Sequence, residues 1–262
     1  MAFLDRISKF YDWMLTKGDP RVQNWPLMAT PGPILTIVLF YLIAIRQGPK
    51  IMDGQKVMGL KMFKLCYNVG LVLLSAYMFY EFLVTSILAG YSYICQPVDY
   101  STDPLALRMA NVCWWYFFSK IIELVDTLFL ILQKRSVSFL HSYHHSTMIV
   151  NWWLGVKYIA GGQSWFLAML NTFVHVIMYS YYGLSALGPS VQKYLWWKKY
   201  LTMLQLSQFF AVVIHTGVNM TQTDCDFPQG FNYAVFLYAI SLIVLFANFF
   251  QKSYCNNKEK SR

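Results

Sequence analysis

The sequence predicts an all-α polytopic membrane protein: one integral domain over residues 1–262 that crosses a bilayer seven times. Three observations predict this. Hydrophobic residues make up 57% of the chain and charged residues only 13%, about half the charged share usual in soluble domains. Mostly apolar stretches long enough to span hydrocarbon as helices recur, at roughly 29–46, 63–88, 107–132, 137–156, 164–187, 200–219 and 231–251. None of them alternates polar and apolar residues as a barrel strand must. A secretory leader is not expected, because the first apolar run begins near Pro33 without a small-residue cleavage site before the next loop.

Before the first span, Phe3, Leu4, Ile7, Phe10, Tyr11, Met14 and Leu15 recur at helical spacing and Gly18-Asp19-Pro20 ends the run. This reads as an amphipathic helix on the membrane surface, compatible with packing on the bundle. Arg46, Lys50, Lys56, Lys61 and Lys64 follow the first span. The second contains Glu81, read as a structural hydrogen-bonder, and the loop after it carries Cys95, Asp99, Asp103 and Arg108. Lys134 and Arg135 follow the third span, and Lys157 follows the fourth. Lys193, Lys198 and Lys199 follow the fifth, and Cys225 with Asp224 and Asp226 follows the sixth. The tail 252–262 holds Lys252, Lys258, Lys260 and Arg262. Trp25, Trp152, Trp153, Trp165, Trp196 and Trp197 fall near span ends, as interfacial anchors do.

The net charge of +9 is therefore a topology signal and not a nucleic-acid signature. Basic residues gather in odd-numbered loops and the tail, which places those on the cytosolic side. The C-terminus is then cytosolic and residues 1–28 are luminal, although Arg6, Lys9, Lys17 and Arg21 vote against this. Cys95 and Cys225 share the luminal side, where an oxidising environment permits a bridge; two unpaired loop thiols are the alternative. Asn219-Met220-Thr221 is a glycosylation sequon on that side, close to the sixth span, and its occupancy is open.

Polar residues inside the spans carry the functional signal, since ionisable groups in a bilayer are costly. The third span has Lys120, Glu123, Asp126 and Thr127. The fourth has His141-Ser142-Tyr143-His144-His145, three of the chain's five histidines. The fifth has Asn171, His175, Met178, Tyr179 and Tyr182, and the sixth has Thr202, Gln205, Gln208 and His215. Spacings near three, four and seven make each set one stripe, and the stripes should face one another. Lys120 and Glu123 form an i,i+3 pair that is either structural or functional. Asp126 or Glu123 beside a histidine would fix its tautomer.

Histidine boxes invite a metal reading. A di-iron membrane desaturase or hydroxylase needs more histidines than this chain has, whereas a three-histidine zinc site stays open. The other reading is metal-free acyl chemistry, with a neutral buried imidazole as nucleophile or base. No G-x-S-x-G turn offers a serine instead. A lipid transporter whose stripes line a path is a third class.

Four motifs decide among these. Lys120-x-x-Glu123-x-x-Asp126-Thr127, His141-x-x-His144-His145, Asn171-x-x-x-His175-x-x-Met178-Tyr179 and Thr202-x-x-Gln205-x-x-Gln208 resemble the four signatures of the very-long-chain fatty acid elongases. The resemblance runs in order over nearly the whole chain, and it is nearest to the animal enzymes acting on polyunsaturated and very long chains. It implies seven helices, six of them ringed around an acyl tunnel. It also implies 3-ketoacyl-CoA synthesis in the endoplasmic reticulum: an acyl-CoA condenses with malonyl-CoA, releasing CO2 and CoA. By the same resemblance His144 takes the acyl group and His175 stands near the condensing carbon. His141, His145 and Asn171 would orient the rings or bind an oxyanion, with Lys120, Glu123, Asp126, Tyr179, Gln205 and Gln208 in support. Neither metal nor cofactor is expected beyond the two CoA substrates. Membrane lipids and the reductases and dehydratase of the elongation cycle are the expected partners. A homodimer is compatible with the sequence. Lys258 and Lys260, three and five residues from the end, resemble a dilysine-type retrieval signal.

Overall fold

A computed structural model of the chain describes residues 2–256. The dilysine pair Lys258 and Lys260, and the side chain of Phe3, lie outside the described residues. The described residues are helical, with no strand. Helix α1 (Ala2–Thr16) precedes α2 (Gly32–Ile51), α3 (Lys61–Leu88), α4 (Pro104–Ile122), α5 (Val125–Leu132) and α6 (Phe139–Ile159). Then come α7 (Ser164–Ala186), a short α8 (Pro189–Gln192), α9 (Lys198–Met220) and α10 (Gln229–Phe250), which runs on into a π-helical turn, Gln251–Cys255. Proline starts α2, α4 and α8, where the missing N–H is no loss. Helices α2, α3, α9 and α10 are long and apolar enough to cross a membrane.

Pairwise packing sets the architecture. Helix α6 packs on α4, α4 on α3, α3 on α7, α7 on α9, α9 on α10, and α10 returns to α6. These contacts close a ring of six, while α2 packs outside it against α5 and α6. The elements run back and forth between two ends. One holds the basic starts of α3 and α9; the other holds the loops that follow them.

The third predicted span is not one helix. It breaks after Ile122, and three-residue turns carry the chain across: Leu124 N–H to Ile121 O, Asp126 N–H to Glu123 O and Thr127 N–H to Leu124 O. Tyr67 donates to the Ile122 carbonyl at 3.3 Å, so an acceptor loosened by the break is taken up. The break spans Glu123 and Leu124, so the first acidic residue of the motif lies in it and the second, Asp126, lies in α5.

Several polar residues also sit differently from the sequence expectation. Arg108 is inside α4 and not in a loop; it binds Glu81 of α3 at 2.6 Å, so Glu81 has a charged partner. Lys157 is likewise inside α6, only 1% exposed, and donates to the Met28 carbonyl at 3.0 Å. Trp153 and Trp165 are core residues and not interfacial anchors. Trp153 donates to Leu27 O at 2.8 Å. The segment following α1 accounts for Lys157 and Trp153, and the Tyr91 and Tyr93 rings pack on Trp165. Val22 and Met28 are fully buried beneath the bundle end, and Arg21 clamps Asp19, Ala160 O and Ala106 O, together with Asp99 O. The apolar residues Leu4, Ile7, Phe10 and Trp13 of α1 remain exposed.

At this same end Cys95 and Cys225 are disulfide-bonded, with Cα atoms 5.5 Å apart. Gln163 accepts from Gln96 N–H at 2.8 Å, and Asn219 accepts from Cys95 N–H at 2.7 Å while donating to His215 O at 2.7 Å. Asn219 is completely buried, so the folded protein does not present its sequon for glycosylation.

Candidate active site

Ser138 positions the histidine box. Its extended backbone starts α6, and its hydroxyl accepts the His141 N–H at 3.2 Å. The box thus occupies the first two turns of α6. The His141 and His145 rings pack at a tilt of 43° with centroids 4.3 Å apart, i,i+4 neighbours on one face, and His144 meets His145 edge-on at 5.6 Å.

The four stripes face one another around a cavity of about 680 Å³. Exposed Lys61, Arg135 and Lys198 rim it, and Asp126, Met178, Tyr179 and Gln205 line its middle. His141, His144, His145, Glu123, Asn171, His175 and Gln208 line it as well. Volumes of this order hold small organic ligands.

Glu123 is the hub of the polar network. Its Oε1 accepts from Lys120 Nζ at 2.7 Å and from Ser119 Oγ at 3.3 Å, and lies 3.4 Å from His175 Nδ1. Between the two carboxylates the sequence offered as a histidine orienter, the structure selects Glu123. Asp126 instead accepts from Tyr179 OH at 3.0 Å. Lys120 and Glu123 are 2% and 3% exposed, so neither charge is solvated and each depends on the other. Lys120 does not line the cavity; it stands behind Glu123, with its Nζ 4.3 Å from the Tyr116 ring centroid. Asn171 Oδ1 accepts from Tyr116 OH at 2.5 Å and from Lys120 Nζ at 3.4 Å, and its Nδ2 donates to Gln208 at 3.4 Å. His141 Nε2 is 2.7 Å from Thr127 Oγ1, which lies 3.1 Å from Tyr41 OH. Gln205 donates to the Met178 sulfur at 3.3 Å.

His144 stands apart from this bonding. Its Nδ1 is buried without a hydrogen-bond partner. A neutral imidazole held by packing and not by its own hydrogen bonds keeps a ring lone pair available for bond formation. His215 does not join the group; it lies at the disulfide end, its ring 4.4 Å from Phe166. Among the described residues no three His, Cys, Asp or Glu side chains are grouped so as to hold a metal ion. Sequence reasoning missed Tyr116, Tyr41 and Asn68. Tyr116 lies one turn before Lys120 on α4, a spacing that would have marked it. Tyr41 and Asn68 belong to spans without a motif.

A ring of helices enclosing a buried, histidine-lined polar centre is the form of a membrane enzyme. The sequence pattern of the ELO: GNS1/SUR4 family matches residues 26–262. Very long chain fatty acid elongase 4 of Homo sapiens is 51% identical over 258 residues, covering 98% of this chain and 82% of its own length. Its Mus musculus counterpart is 50% identical over 260 residues, covering 98% and 83%. Very long chain fatty acid elongase 7 of Drosophila melanogaster is 44% identical over 266 residues, covering 99% and 81%. The chain belongs to the ELO family. It is a condensing enzyme of fatty acid elongation, a 3-oxoacyl-CoA synthase working on acyl-CoA in a membrane.

Proposed function

We propose that condensation runs through an acyl-imidazole on His144. Its ring nitrogen attacks the thioester carbon of a very-long-chain acyl-CoA, the C–S bond breaks, and the proton of the acylated ring goes to the departing thiolate as CoA. Malonyl-CoA then enters and loses its carboxylate as CO2. The resulting carbanion attacks the acyl carbon, forming the new C–C bond. The C–N bond breaks and the ring takes up one proton, which restores His144. Asn171 through its Nδ2, and His175 when its ring is protonated beside Glu123, would donate to the oxyanions of both half-reactions. His145, edge-on to His144 and itself packed on His141, positions the nucleophile. Asp126, Tyr179, Gln205 and Gln208 shape the passage. Apart from the two CoA esters, the reaction uses no metal or cofactor.

One observation supports this reading above the others. A single cavity connects a rim of Lys61, Arg135 and Lys198, suited to CoA phosphates, with an imidazole that has no side-chain hydrogen bond of its own. The acyl tail would continue inside the ring of six helices, towards the disulfide end.

The placement proposed is the endoplasmic reticulum membrane. All seven helical passes cross, the basic rim and C-terminus face the cytosol, and α1 lies on the luminal surface. The Cys95–Cys225 bond at the opposite end suits an oxidising lumen. Reductases and a dehydratase complete the cycle, since the chain has no dinucleotide fingerprint, and self-association as a homodimer is compatible with this placement.

The mechanism is tested by supplying acyl-CoA alone. A burst of free CoA equal to the enzyme concentration is expected, with no turnover beyond it until malonyl-CoA is added. Absence of CoA release before malonyl-CoA is present would rule out the covalent intermediate. Protease protection of a C-terminal tag in sealed vesicles would overturn the topology.

A further inference from the structure

Asn68 on α3 lines the same cavity and is only 4% exposed. Its Nδ2 donates to the Lys64 carbonyl at 2.6 Å. That bond fixes the amide orientation, because a flipped amide would set two acceptors against each other. Asn68 Oδ1 is then left buried with no partner. Orphaned buried acceptors are uncommon and unfavourable, and each calls for a donor. Two of the buried orphans belong to residues lining this cavity, His144 Nδ1 and Asn68 Oδ1.

Position on the helix narrows the choice of donor. Asn68 follows Lys61 and Lys64 at spacings of seven and four, so the three share a face of α3 and run inward from the rim. Asn68 is about 10 Å below Lys61 along the helix axis at 1.5 Å per residue. Helix α7 closes over it, because a Cβ on Gly183 would come within 3.4 Å of Asn68 Cβ. A CoA thioester entering from the rim presents its parts in a fixed order. The phosphates have acceptors only, and so does the thioester carbonyl; the acyl chain has neither donor nor acceptor. Between phosphates and thioester lies the pantetheine arm, whose donors are one hydroxyl at the phosphate end and, beyond it towards the thioester, two amide N–H groups.

We propose that Asn68 binds the pantetheine arm of the CoA substrates, its Oδ1 accepting one of the two amide N–H groups. The proposal rests on the reading that CoA enters past the basic rim. It makes Asn68 a recognition residue for the carrier, shared by acyl-CoA and malonyl-CoA and indifferent to acyl chain length.

The test uses purified full-length enzyme and malonyl-CoA analogues in which one or the other pantetheine amide N–H is replaced by an ester oxygen. For the unmodified enzyme, one of the two analogues should raise KM about tenfold, with kcat changed less. Asn68→Leu should raise KM for malonyl-CoA by a similar factor and no longer separate analogue from parent. Asn68→Asp, which as a buried neutral acid keeps both the donor to the Lys64 carbonyl and a free acceptor, should still separate them, and it serves where the leucine variant does not fold. Equal use of parent and both analogues by the unmodified enzyme would overturn the proposal and leave water as the donor to Oδ1. So would undiminished discrimination by Asn68→Leu. The Lys61→Ala and Lys198→Ala variants separate the two levels of failure. If they raise KM at low salt while the analogues behave alike, only the Asn68 contact is wrong. If they leave KM unchanged at every salt concentration, CoA entry at the rim fails, and the Asn68 contact with it.

Discussion

The two ends of this molecule bury the same kinds of residue for different ends. Lys120 and Lys157 are both almost completely enclosed. Lys157 gives its ammonium to the main-chain carbonyl of Met28, tying the incoming chain to the base of α6. Lys120 gives its ammonium to Glu123, which in turn meets His175. His215 and His144 form a second such pair. Each has a buried Nδ1 without a partner, but the first packs on Phe166 and meets Gln163 at 3.4 Å beside the disulfide loops, whereas the second lines the cavity. Burial of a polar group in a membrane protein is therefore not by itself a sign of function. What separates the ends is what the polar groups surround: closed packing that ties loops to helices at the disulfide end, open space at the basic end.

The sharpest way to break that comparison is to remove the two histidines separately. His144→Ala should lower condensation by about 10⁴-fold or more, as loss of a covalent nucleophile does, while size-exclusion elution stays unchanged. His215→Ala should leave the rate within about twofold. Comparable losses from both variants would erase the distinction.

The lysines give the next largest effect. Lys120→Met strands a buried carboxylate and should destabilise the protein by about 3–5 kcal/mol. Lys157→Met strands only a carbonyl, at about 1–3 kcal/mol. Thermal unfolding in one detergent compares them directly, and the larger loss for Lys157→Met would contradict the assignment.

Between these lies the disulfide. Cys95→Ser should cost about 2–4 kcal/mol of stability and leave kcat nearly unchanged at temperatures where the variant stays folded. A large drop in kcat there would place chemistry at the wrong end.

Much of the basic end was legible in the sequence, because its side chains bond within helices or between stripes whose spacing is visible. Lys120 and Glu123 are i,i+3 neighbours, and the histidine box follows a capping serine. The disulfide end was harder to read. Trp153 and Trp165 look like interfacial anchors until residues 17–31 and the loops around Cys95 are seen to cover them. Lys157 and Arg108 look like loop charges because each sits close to the polar boundary of its span, while its partner lies over 20 residues away. The break at Glu123 was invisible for a similar reason. No proline or glycine marks it, and the group that relieves it, Tyr67, comes from another helix. Asn68 escaped notice because a lone asparagine in an apolar span shows nothing of the cavity beside it.

The central claim is a covalent bond between His144 and the acyl group, and intact-mass spectrometry tests it most directly. After incubation with a fatty acyl-CoA alone, the protein should gain the mass of one acyl group. Peptide mapping should place the adduct on His144, and addition of malonyl-CoA should discharge it as the 3-oxoacyl product. A protein that turns over both substrates yet never carries that mass, or carries it on another residue, would contradict the account.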